Sequence, residues 1–384
     1  MGITAVVLLL LGSPAASPTD ARAEPARFGD MAAYWIAGRA VLEHENPFDR
    51  ETVQAIESRE DLHQAFVIWN PPWILPIVVI LGLLPFSVAA LIWCISNMMM
   101  AIGSGLAMSK SSGLTPFATV VATITFLPIL FCVGMSQWSI LVLAAVMGYD
   151  LLRRQNMPLL AGMVLAFAAI KPHLVALVWL VPLFSGTRRE RALSIAGIGC
   201  TLSVLLGMTY LWDSRLIPDY LEALRHPASN APTNYLAATP SVWMKMTLEQ
   251  WMGCPLPGVQ FLPLLVAVVA TAACLTKKNQ REAQTIPVLL LLSAMFLPYG
   301  WHYDQVLLLP AYLLLWGEVA SRSSRYGSMR LAIVLILLNG GMGAMAILGV
   351  DESLYFVWPP ILVLIWLLEN HPRRQARPSL ALVI

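Results

Sequence analysis

Residues 158–191, PLLAGMVLAFAAIKPHLVALVWLVPLFSGTRRER, hold two apolar runs, 158–170 and 172–185, parted by Lys171 and closed by Arg188, Arg189 and Arg191. Arg153 and Arg154 stand just before them. Apolar runs of this kind cross a bilayer as helices, short ones when packed in a bundle, and basic residues stay on the cytoplasmic side. The segment therefore reads as a passage out and back, with Lys171-Pro172-His173 at its outer turn.

The same pattern extends in both directions. Of the 384 residues, 58% are apolar and only 12% charged, against roughly 25% in a soluble domain. Mean hydropathy is +0.70. About twelve spans are predicted, over 2–17, 87–108, 115–132, 138–152, 158–170, 172–185, 192–212, 258–276, 285–298, 304–317, 330–348 and 354–369. The apolar stretch 69–85 contains Pro71, Pro72, Pro76 and Pro85, and is assigned to a re-entrant or interfacial segment because proline breaks helices. With this parity the connections at 110, 153–154, 188–191, 277–281, 322–330 and 373–377 share one side and hold most of the 24 basic residues. The expected architecture is a single all-α polytopic domain over 1–384 with both termini cytoplasmic. Two long segments, 18–86 and 213–257, then face outward. The N-terminal run is short for a span, and ARA at 21–23 also resembles a signal-cleavage site.

Within the first outer segment, GDMAAYWIAGRAVLEHE places Asp30 and Tyr34 one helical turn apart before Asn46-Pro47, and a polar helix is expected over 50–62. In the second, Asp219, Tyr220 and Glu222 suggest a surface helix, and Trp243 and Trp251 suit the headgroup level.

Ionisable and amide groups at the ends of apolar spans are costly and mark functional sites. Four places qualify: Asp30, Gln137 in GMSQWS, Lys171 with His173, and His302 with Tyr303 and Asp304 in LPYGWHYDQ. The topology drawn from the arginines puts all four on the outer side without having used them. Each has a plainer reading. Lys171 can snorkel to the interface, Asp30 can cap an exposed surface helix, the 301–304 group can be an aromatic belt, and Gln137 can bond helix to helix. Arg39, Asn70 and Trp35 suit structural or rim roles, and Met98, Met99 and Met100 suit packing. Five cysteines form no CxxC pair, the histidines lack metal-ligand spacing, and neither a Walker loop nor an Asp-x-Asp pair is present. No metal, cofactor, nucleotide donor or nucleic-acid partner is expected.

These residues resemble glycosyltransferase family 87, polytopic enzymes of the GT-C superfamily. The resemblance runs through GDMAAYWIAGRAVLEHENPFD (29–49), NPPWILPIVVILGLLPFSVAALIW (70–93), GMSQWSILVLAAVMG (134–148), the Lys-Pro segment quoted above and LPYGWHYDQVLLLP (297–310). Met135-Ser136 between Gly134 and Gln137, Phe48 in place of Tyr, and His173 where the family often has Gln depart from its pattern. The resemblance implies a GT-C bundle that transfers a hexose, often mannose, from a polyprenyl-phosphate sugar to a lipid or glycan acceptor at the extracytoplasmic face of the cell membrane. It maps the catalytic carboxylate onto Asp30. On that reading Lys171 and His302 hold the donor phosphate, and Asp304 or Tyr303 orients the histidine. Tyr34 and Gln137 touch sugar or acceptor, with His173 in support. A secondary transporter or lipid-linked-sugar flippase is the alternative, with Lys171, His302 and Asp304 at a gate. Against it, residues 1–190 and 191–384 show no inverted repeat. A dead scaffold that only binds lipid-linked sugar is a third reading.

Overall fold

The computed structural model describes residues 30–62, 66–225, 238–276, 282–322 and 324–369. The expected span 2–17, the ARA at 21–23, the connection 277–281 and the basic tail 373–377 lie outside them. The described residues are helical, with no β-strand. Helices α1 (Met31–Leu42) and α2 (Arg50–Arg59) are followed by a 3-10 turn, Pro72–Ile74, that runs into α3 (Leu75–Gly82). Next come α4 (Phe86–Ser112), α5 (Pro116–Ile124), α6 (Leu127–Gly134), α7 (Ser139–Arg154) and α8 (Pro158–Leu165). Short turns lead through Lys171 to α9 (Arg188–Trp212), then α10 (Leu216–Arg225), α11 (Pro240–Met252), α12 (Leu262–Leu275) and α13 (Glu282–Phe296). A 3-10 stretch, His302–Leu308, precedes α14 (Leu309–Ser321), α15 (Arg325–Ile347) and α16 (Trp358–Glu369).

Local sequence chemistry sets these boundaries. Thr115 accepts from the Ala118 amide ahead of Pro116, which is preset for a first helical turn. Thr187 and Glu190 form a reciprocal capping box at the start of α9. Gly113, at φ 71°, ends α4 in the left-handed conformation that glycine adopts without strain.

Among the described residues four helical segments are long and apolar enough to cross a membrane: α4, α9, α15 and the run Glu352–Glu369 that includes α16. The pair α5–α6, bent by 57°, would make a fifth. The other predicted spans among the described residues fall on helices that are shorter or broken by 3-10 turns. In α4 the usual polarity of a helix in water is inverted. Leu91, Ile95 and Met99 face outward at 60, 50 and 68% exposure, whereas Asn97, Ser104 and Gly105 face the bundle. Lipid is the solvent that suits such a surface, and small or polar residues then make the helix contacts.

Close backbone approaches hold the bundle together. A Cβ on Gly38 of α1 would overlap the Val78 carbonyl of α3, and one on Gly82 would overlap the Gly38 backbone. Gly162 of α8 meets the Ser194 backbone of α9, and Gly197 of α9 meets the Leu159 carbonyl. Among the glycines at 103–105 and 340–343, Gly105 packs on Thr123 and Gly341 on Trp358, while Gly103 and Gly340 face open space.

The plainer reading of Asp30, as the cap of an exposed surface helix, does not hold. Helix α1 is not an exposed surface helix. Ten of its residues are buried against α3, Trp93 and Trp138. In α11 the Trp243 indole donates to the Ser353 carbonyl at 2.8 Å and its ring stacks on Phe356, whereas Trp251 is 82% exposed. The expected 69–85 segment is the helical stretch 72–82, too short to cross a bilayer alone and anchored to α9 where Thr209 donates to the Pro72 carbonyl at 3.0 Å.

Candidate functional site

Helix α7 sets the geometry. Gln137 and Ser139 lie at its N-terminal end, Arg153 and Arg154 at its C-terminal end, about 24 Å away for 16 residues at 1.5 Å each. At that far end Arg154 reaches Ser111 of α4 at 3.5 Å and both arginines pair with buried Asp150. The candidate residues thus gather at the end of the bundle opposite the basic cluster.

Each is positioned by a break in regular structure. After α6 the chain turns through Ser136 at φ 55°, and the Gln137 amide donates back to the Cys132 carbonyl at 3.0 Å. Trp93 donates its indole hydrogen to the Ser136 carbonyl at 2.8 Å and fastens this turn to α4. Lys171 sits between the 3-10 turns Ala166–Ile170 and Pro172–Val175 at φ −134° and ψ 71°, outside the helical region that the following proline disfavours. Asp30 precedes α1, and its backbone amide donates to the Met135 carbonyl at 3.1 Å. Its carboxylate caps no helix amide and is turned to Gln137 instead.

The side chains close into one network. The Gln137 amide nitrogen donates to Asp30, while its carbonyl oxygen accepts from Lys171 at 3.0 Å and from the Tyr34 hydroxyl at 3.4 Å. The Lys171 ammonium also donates to Ser139 at 3.1 Å and to Asp304 at 3.0 Å, and stands 5.0 Å from the centre of the Tyr303 ring. Asp304 accepts from Ser139 and, at 2.8 Å, from the Trp301 backbone amide. Asp30, Gln137, Lys171 and Asp304, each recognised separately in the sequence, are therefore linked by direct hydrogen bonds. Burial pushes the Asp30 carboxyl up to about 7, against the opposing pull of the Lys171 charge and the Gln137 hydrogen bond.

The remaining candidates are placed differently. Asp304 does not orient His302, since its oxygens are taken by Lys171, Ser139 and Trp301. Nδ1 of His302 lies 3.7 Å from Glu352 and forms no hydrogen bond, and its ring packs on Phe131, Tyr303 and Tyr355. His173 faces the Tyr299 ring at 5.8 Å. Of the residues given structural roles, Trp35 donates to the Leu84 carbonyl at 2.9 Å, Arg39 pairs with Glu43, and Asn70 reaches the Ile170 carbonyl at 3.5 Å, one residue before Lys171. Sequence reasoning missed Ser139. Its one signal was position, two residues after Gln137 and at the mouth of the same helix. Trp138, fully buried between Tyr34 and Trp93, was also missed because a tryptophan in an apolar run carries no distinguishing mark.

Among the described residues no group of three or more His, Cys, Asp or Glu is placed to hold a metal ion. Comparison with curated proteins and with solved structures finds no match. The family model of glycosyltransferase family 87 matches residues 68–301, well over half of the chain. Gln137, Ser139 and Lys171 fall inside that match. Asp30 and His302–Asp304 flank it and reach the centre through the fold.

Proposed function

Because this chain belongs to glycosyltransferase family 87, we propose that it is an inverting hexosyltransferase, with a polyprenyl-phosphate sugar as donor, mannose as the hexose, and a lipid or glycan as acceptor. The observation that carries this reading is the joining of Asp30 to Lys171 through Gln137. It puts a carboxylate of raised proton affinity beside a cation at one end of a membrane bundle.

In this mechanism Asp30 takes the proton of an acceptor hydroxyl as the oxygen attacks the anomeric carbon from the side opposite the phosphate. The new glycosidic C–O bond forms, the bond from anomeric carbon to phosphate oxygen breaks with its electron pair on the leaving polyprenyl phosphate, and configuration inverts. Lys171 contributes positive potential where the phosphate charge develops, with His302 in the same role from its aromatic slot. Tyr34 and Gln137 touch sugar or acceptor, and His173 and Tyr303 line the approach. We assign the site to the extracytoplasmic side of the cell membrane, in a GT-C-type bundle of about twelve spans with outer segments 18–86 and 213–257. The basic end of α7 supports this orientation through the positive-inside rule.

The test uses purified protein with labelled polyprenyl-phosphate mannose and a lipid extract. Transfer of label with release of polyprenyl phosphate is expected. Label carried across a vesicle membrane with its phosphate bond intact would identify a flippase instead, and binding without either would identify a scaffold. Reporter fusions at residues 45 and 189 should report opposite sides.

The raised Asp30 proton affinity gives a pH dependence with a definite sign. A general base works only when deprotonated, so kcat/KM should climb about tenfold per pH unit below a midpoint near 7 and level off above it. A profile flat from pH 5 to 8 would remove Asp30 from the role.

A further inference from the structure

We propose that Asp304 is a positioning residue which, paired with Lys171, sets the proton affinity of Asp30 through the side-chain amide of Gln137. This rests on the reading of Asp30 as the base, and deepens it by assigning control of that base to a buried ion pair.

The ammonium of Lys171 has three hydrogens, and all three are committed, to Gln137, Ser139 and Asp304 at 3.0–3.1 Å. The Asp304 carboxylate is likewise taken up by Lys171, Ser139 and the Trp301 amide. The pair is shielded from solvent, at 13% and 2% side-chain exposure. An ammonium so saturated is poorly arranged to act only as a free anchor for phosphate. It does act on Gln137. Drawing electron density toward the amide carbonyl makes the amide N–H a stronger donor, and that N–H is spent on Asp30. Ser139 bonds both members of the pair and fixes the distance between them.

The charged and titratable groups that act on Asp30 are Tyr34 from its own helix, Lys171 from the break before Pro172 and Asp304 from the 302–308 stretch, with Gln137 as its hydrogen-bond partner. The ammonium favours the charged carboxylate and Asp304 opposes it more weakly. The two partners therefore pull Asp30 in opposite directions, which gives a test that a merely structural role could not mimic.

The measurement is the pH profile of kcat/KM in purified full-length protein with labelled polyprenyl-phosphate mannose. Lys171→Met should move the acid limb up by about one pH unit, and Asp304→Asn should move it down by a similar amount. In the double variant the limb should lie above wild type but below Lys171→Met, since the stronger of the two influences is removed with the weaker. Should either single variant fail to accumulate, the double variant, which leaves neither half of the 171–304 pair charged, is read instead, and a limb at the wild-type position there overturns the inference. Limbs unmoved, or displaced the same way in both single variants, would overturn the inference. Asp30→Asn separates this from failure of the underlying reading. If Asp30→Asn keeps its turnover, Asp30 is not the base. If it is dead while the limbs stay put, only the role of the pair is lost.

Discussion

Asp30→Asn is expected to lower transfer by about 10²- to 10⁴-fold, the usual contribution of a positioned base. The substitution keeps the size and planarity of the side chain and can still meet Gln137. It cannot take a proton. Expression and melting in detergent should therefore stay near wild type, because no buried charge loses its only partner: Lys171 keeps Ser139 and Asp304. Asp30→Glu is instructive beside it. The added methylene moves the carboxylate by about 1 Å, and misplacement on that scale can itself cost about 10²-fold. Turnover of Asp30→Asn within a fewfold of wild type, measured with the lipid-linked donor, would end the proposed mechanism.

Gly38→Leu should be the most damaging single change away from the site. The Cβ at this position meets the Val78 carbonyl and the Gly82 amide of α3, and both are backbone. A flexible neighbour can rotate aside, but here α1 and α3 must separate. Forced overpacking costs typically 1–3 kcal/mol, and a main-chain collision belongs at about the upper end of that range. Activity should fall further than stability, because Asp30 is carried on the end of α1 and must stay in register with Met135 and Gln137. Gly103→Ala is the control. It lies in α4 with open space at its Cβ and should melt like wild type or slightly above. Equal melting temperatures for Gly38→Leu and wild type would show that the α1–α3 contact is not tight.

Much of the site was legible in the sequence because cost in a membrane is local. A lysine or an aspartate at the end of an apolar run is conspicuous whatever it touches, and the arginine clusters sort such positions by side. The signal fades where the chain is short-helical. Between 158 and 184 the prolines and 3-10 turns replace the pair of continuous helices that hydropathy suggests, since a hydropathy window records how apolar a stretch is and not whether its backbone bonds run without interruption.

Composition and charge asymmetry determined by themselves that this is a helical membrane chain, and they placed Gln137, Lys171 and Asp304 at one end of it. Only the tertiary structure decided that Asp304 answers Lys171 and not the neighbouring His302, that Ser139 joins them, and that α1 is buried against α3. The physical reason is range. Partition into lipid is a property each residue carries alone, whereas an ion pair between positions 171 and 304 depends on how three helix ends converge, and no periodicity along the chain encodes that meeting.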